Sequence, residues 1–124
     1  QIESLYKQLL DAVHKAEGKH DPDVVFVLDE WIIFLARQRR EAEALPLARP
    51  MVRVCRKAHG PEHPTLADAL SRLASLEVSA GNPDDAGPLL TEALAIRRRA
   101  FGSRHPITDR ARGNLKRFQS GRDE

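Results

Sequence analysis

Glycine and proline recur along this chain at a fixed interval. Gly18, Gly60 and Gly102 are 42 residues apart, and so are Pro22, Pro64 and Pro106. The same offset of 42 relates His63 to His105, Ala44 to Ala86, Pro46 to Pro88, Leu47 to Leu89 and Ala58 to Ala100. Apolar positions keep their character: Val24 with Leu66, Leu28 with Leu70, Trp31 with Leu73, Val52 with Leu94, Val54 with Ile96. The identities concentrate on Gly, Pro and Ala, where backbone geometry or close packing dictates the residue. A period of this length constrains the chain more than local propensity does, because each unit must bury its apolar face on its neighbour. The units read as residues 22–63 and 64–105, flanked by a second half-unit at 1–21 and a first half-unit at 106–124.

The units are helical. Charged residues make up 31% and aromatics 5% of a 124-residue chain rich in Ala, Leu, Arg and Glu, a mixture that favours helices. Punctuation predicts six. The first spans 1–17, with Ile2, Leu5, Leu9, Ala12 and Val13 on one stripe and Gly18 as its stop. The second starts at Pro22 behind an Asp21 cap and runs to 38 along Val24, Val27, Leu28, Trp31, Ile32 and Leu35. The third spans 41–59, and the fourth runs from Pro64 to 80 with Gly81 behind it. The fifth opens on Asn82 as cap, with Pro83 and two acids at the positive helix end, and stops at Gly102. The sixth begins at Pro106 and carries Ile107, Ala111, Leu115 and Phe118. Short links force antiparallel neighbours. Pro46, Pro50 and Pro88 lie inside helices and are expected to bend them. The expected fold is all-α: a right-handed α-solenoid of antiparallel helix pairs forming one domain. Gln1 falls within a helical pattern, which predicts a piece of a longer array.

Net charge is +2, yet nine basic residues stand against Asp109 alone between Arg97 and Arg122. That end is a candidate site for an acidic partner. A single cysteine, Cys55, precludes an internal disulfide and fits a reducing cytoplasm. No stretch approaches the ~20 apolar residues of a membrane span.

The helix pairs resemble the tetratricopeptide repeat. Leu70-x2-Leu73-Ala74 falls on the first helix of a unit and Ala86-x3-Leu90-x2-Ala93 on the second. The small residues let two backbones approach while the large ones fill the groove. The ordinary repeat of that family is about 34 residues long. A 42-residue unit, with Ala44-Leu45-Pro46-Leu47, Ala86-Gly87-Pro88-Leu89, Leu94-Ala95-Ile96-Arg97 and His105-Pro106, resembles the kinesin light chain type. The resemblance implies a protein-interaction module that holds a peptide or protein segment in a concave groove lined by first helices, as a sensor or scaffold part of a larger protein. It also implies an asparagine pair on that face. Here the places hold Asp29-Glu30, Ser71-Arg72 and Gly113-Asn114, and only Asn114 fits.

The groove positions are Phe26, Asp29, Glu30 and Ile33 in one unit, Arg72 and Ser75 in the next, and Arg110, Asn114 and Arg117 in the last helix. Phe26 and Ile33 are candidate apolar anchors; the competing reading packs them on a preceding helix. Cys55, His59 and His63 share a four-residue spacing, but Gly60-Pro61 interrupts the helix and a closed zinc site needs four ligands, so no metal or other cofactor is expected. No nucleophile, phosphate-loop or paired-carboxylate pattern appears, which points away from an enzyme. Two further classes stand beside peptide binding: nucleic acid or another polyanion at the basic end, disfavoured by the scarcity of stacking aromatics, and a spacer or homodimer joined through uncapped ends.

Overall fold

The computed structural model describes the backbone of residues 2–19 and 22–123, and the side chains of residues 4–15 and 23–119. Six helices run in order: α1 (Ile2–Lys19), α2 (Pro22–Arg37), α3 (Glu41–His59), α4 (Pro64–Ser79), α5 (Pro83–Phe101) and α6 (Pro106–Asp123). Among the described residues no strand occurs. Helices α2 and α3 form one antiparallel pair and α4 and α5 the next, with α3 on α4 and α5 on α6 joining them into an α-solenoid. Helices α3 and α5 continue through their internal prolines.

The loops 60–63 and 102–105 are built alike. Gly60 (φ 92°, ψ 168°) and Gly102 (φ 89°, ψ 161°) take a backbone region that is essentially glycine's own. Their N–H groups donate back to the carbonyls of Arg56 (2.9 Å) and Arg98 (2.8 Å), closing α3 and α5. Three residues on, the Nδ1 atoms of His63 and His105 each accept the N–H of the second residue of the following helix, Thr65 and Ile107, at 3.1 Å. Each histidine is therefore an N-cap, and the proline after it lacks the donor that would otherwise need a partner. Gly stops one helix, His caps the next and Pro starts it.

Two expected boundaries differ. Helix α1 continues through Gly18 to Lys19; a glycine weakens a helix by about 1 kcal/mol but does not end it unless the next residues turn. Asn82 (φ −116°, ψ 56°) makes no side-chain cap to α5. Pro83 removes one donor, and the N–H of Asp85 reaches the Asn82 carbonyl at 3.1 Å instead. The Asp21 cap expected for α2 lies outside the described residues.

The core lies between the pairs. Leu28, Ile32 and Leu35 of α2, Leu47, Met51 and Val54 of α3, and Leu66 and Leu70 of α4 are fully buried. Buried Ala44, Ala48, Ala67, Ala74, Ala86 and Ala93 let the helix backbones approach. Val27, expected in the core stripe, is exposed, while its neighbour Val25 is buried.

The two ends of the stack differ from its middle. Helix α1 packs on α3, where the Tyr6 hydroxyl donates to the Glu43 carbonyl at 2.5 Å, but it stands off α2. In the middle, second helix and following first helix, α3 and α4, pack closely. At the other end, α6 sits on α5, with buried Ala111 and with Thr108, whose hydroxyl donates to the Arg97 carbonyl at 3.3 Å. The positions that are Leu28 and Ile32 in α2 become Arg112 and Lys116 in α6, so its outer flank is polar.

Candidate functional site

Residues 42 apart occupy equivalent places on the first helices, so Phe26, Asp68 and Arg110 form one row, Glu30, Arg72 and Asn114 a second, and Ile33, Ser75 and Arg117 a third. Between α2 and α4 opens a cleft of about 220 Å³, lined by Val25, Phe26, Asp29, Met51, His59, Thr65, Asp68 and Ala69. Its floor is apolar, since Val25, Met51 and Ala69 are buried. Phe26 stands beside it with 70% of its surface in solvent. A large aromatic this exposed at the mouth of an apolar cleft is a ready anchor for another chain.

The carboxylates at the rim are already engaged. Arg72 of α4 grips Asp29 of α2 with both ends of its guanidinium, Nε to Oδ1 at 2.7 Å and Nη2 to Oδ2 at 3.3 Å. This two-pronged contact spans consecutive first helices and fixes the floor between them. Arg97 reaches back from α5 to Asp68 (2.9 Å) and to the Ser71 hydroxyl (2.9 Å). The cleft thus pairs an apolar floor with a neutralised rim, which suits an apolar side chain carried on an extended or helical segment.

Of the expected groove residues, Phe26 and Asp29 line this cleft, and Arg72 is tied to it through Asp29. Glu30 instead borders a second opening of about 240 Å³ on the other flank of α2, beside Trp31 and Phe34. Those two rings meet edge to face at 5.7 Å. Ile33 is half-buried and Ser75 exposed, and neither lines a cleft described above. Arg110, Asn114 and Arg117 lie on α6, away from the cleft, with Arg117 bonded to the Asn114 side chain. Sequence reasoning missed Met51, His59 and Thr65, which come from a second helix and a loop. The repeat of the Gly-x2-His-Pro loop was the one signal for the last two, because it places that loop beside every first helix.

The junction also stacks its rings. His59 and His63 lie 4.6 Å apart, and the equivalent pair Phe101 and His105 lie 5.0 Å apart. Cys55 is buried beneath, and burial pushes its thiol up to about 11. The basic end is largely spoken for: besides Arg97, Arg99 pairs with Glu62, and Arg112 with Asp109 and the Ser103 carbonyl.

Stacked helix pairs with an open cleft between first helices define a helical repeat scaffold of the kind that binds other proteins. The model of the tetratricopeptide repeat matches residues 26–98 and 65–120, and the chain belongs to that family. The family is a non-catalytic scaffold that generally mediates protein–protein interaction. Comparison with curated proteins gave no match. No helix among the described residues is long and apolar enough to cross a membrane.

Proposed function

We propose that this chain is a non-enzymatic interaction module that grips a segment of a partner protein in the cleft between α2 and α4, as the sensor or scaffold part of a cytoplasmic protein of the kinesin light chain-like type. The observation that supports this best is Phe26, exposed beside an apolar-floored cleft whose rim charges are satisfied internally. Arg72 already serves Asp29, so the partner segment contributes an apolar residue at this point, and the acidic character expected of it is confined to contacts with α6. There Arg110, Asn114 and Arg117 offer donors along the same concave rows.

A polyanion at the basic end draws less support, since Arg97, Arg99 and Arg112 are held by Asp68, Glu62 and Asp109. The test is binding of a selected peptide to wild-type chain and to Phe26→Asp. Peptide affinity falling at least tenfold in the variant, with unchanged circular dichroism, supports the cleft. Equal affinity places the site elsewhere.

A further inference from the structure

A second surface, on the opposite flank of α2, is built from positions that are interior everywhere else in the stack. Val27, Trp31 and Phe34 of α2 correspond to Ala69, Leu73 and Leu76 of α4. In α4 these three are buried; in α2, Val27 and Phe34 are 46% and 40% exposed, and Trp31 is only partly buried. Helix α1 repeats the contrast. Leu5 occupies the place of Leu47, yet it is 47% exposed where Leu47 is 0%. Between the two helices lies an apolar cleft of about 160 Å³, lined by Leu9, Ala12, Val13, Asp23, Val24, Val27 and Leu28. It adjoins the opening at Glu30, Trp31 and Phe34.

Geometry says what shape fits here. A second helix and the first helix that follows it, α3 and α4, enclose α2 between them in the middle of the stack. Helices α1 and α2 stand in the same relation, so the groove between them has the form of a seat for one more first-type helix.

Charge says what that helix carries. At the α2–α4 contact the cation is Arg72 and the anion Asp29. Arg72 corresponds to Glu30, so the sign is reversed in the open groove. Residues 1–30 hold seven carboxylates (Glu3, Asp11, Glu17, Asp21, Asp23, Asp29, Glu30) against three lysines (Lys7, Lys15, Lys19). Helix α6 of a second copy is basic, but it carries Arg112 and Lys116 where a seated helix must be apolar.

We propose that the α1/α2 groove is a docking site for an amphipathic α-helix of another protein, with apolar residues at i, i+4 and i+7 and a Lys or Arg set against Glu30. The helix takes the place that α2 takes toward α3 and α4. Apolar burial on Leu5, Val27, Trp31 and Phe34 supplies the affinity, and the Glu30 contact sets register and polarity. This site is separate from the α2/α4 cleft and does not depend on it.

The probe is a synthetic helix of residues 22–37 of this chain carrying Asp29→Arg and Trp31→Phe. That sequence already has the apolar spacing Leu28, Ile32, Leu35. The chain's single tryptophan, Trp31, lies in the groove and reports without a label. The expected result is a saturable blue shift of Trp31 emission. Glu30→Arg in the chain weakens binding about tenfold or more, and a probe that keeps Asp29 restores it to that variant. Phe34→Asp abolishes the shift while Phe26→Asp leaves it unchanged. The proposal is overturned by no shift at millimolar probe, by binding indifferent to the charge exchange, or by Trp31 emission that changes with chain concentration alone as the mass doubles, which would make a second copy the occupant.

Discussion

Replacing Gly60 with alanine isolates the backbone term of the junction. At Gly60 (φ 92°) a Cβ would meet nothing within 4 Å, and the same holds at Gly102 (φ 89°). The cost is therefore conformational and not steric: holding an L-residue in this region costs about 1–3 kcal/mol. For a chain of this size each kcal/mol lowers the melting midpoint by about 4 °C, so Gly60→Ala is expected to lower it by about 4–12 °C. Gly102→Ala should cost a similar amount, because the two loops share one geometry. The double variant should sum the two, as the sites have no common partner. Gly113 is the control. It lies inside α6, its Cβ would meet only Arg117 Nη1 at an ordinary 3.8 Å, and Gly113→Ala should stabilise by about 0.5–1 kcal/mol through helix propensity. Urea and thermal unfolding followed by circular dichroism measure all four, and D-alanine placed at 60 by semisynthesis should restore wild-type stability. The reasoning is refuted if L- and D-alanine at 60 behave alike, or if Gly60→Ala and Gly113→Ala shift stability in the same direction.

Three further outcomes follow from other contacts. His63→Ala and His105→Ala should each cost about 1 kcal/mol in urea unfolding through the lost N-cap, and His63→Ser should recover most of it. The Glu77 side chain is 5% exposed and takes Arg49 at 2.7 Å, with Arg49 49% exposed. Arg49→Ala strands that carboxylate and should cost about 1–3 kcal/mol after allowance for solvent, more than Glu77→Gln. Cys55 has a folded-state value raised to about 11. A raised value means stability is complete below the unfolded thiol's range and declines as pH rises through the folded value. The decline should be up to about 1.4 kcal/mol per pH unit between roughly 9 and 11, and Cys55→Ala should lack that component. The native thiol should resist thiol reagents at pH 8.

What the sequence made legible follows from which constraints are local. Glycine, proline and histidine at a common offset mark the junctions, and all six helices start and stop close to where that punctuation puts them. Gly18 misled because its neighbours continue the helix, and Asn82 because Pro83 removes a donor it would have helped satisfy. The candidate site was half legible. Helical register puts Phe26 and Asp29 on the face toward α4, but one helix's period cannot say that Arg72 is drawn onto Asp29 or that Met51 and His59 complete the cleft. Those facts depend on how two units stack. Glu30 was assigned to the concave groove because it follows Asp29, yet one residue is 100° of helix, enough to carry it to the opposite flank. Val27 and Trp31 read as core for a related reason: their equivalents Ala69 and Leu73 are core, and only the packing of α1 decides whether the first unit matches.

The measurement that tests the binding account most directly is a map of amide chemical-shift changes on ¹⁵N-labelled chain, titrated with a peptide selected on it from a random library. The account predicts changes concentrated on Val25, Phe26, Asp29, Thr65, Asp68 and Ala69, saturating with one affinity and lost in Phe26→Asp. Changes confined to the outer faces of α3 and α5, or a selected peptide that binds Phe26→Asp equally well, would contradict it.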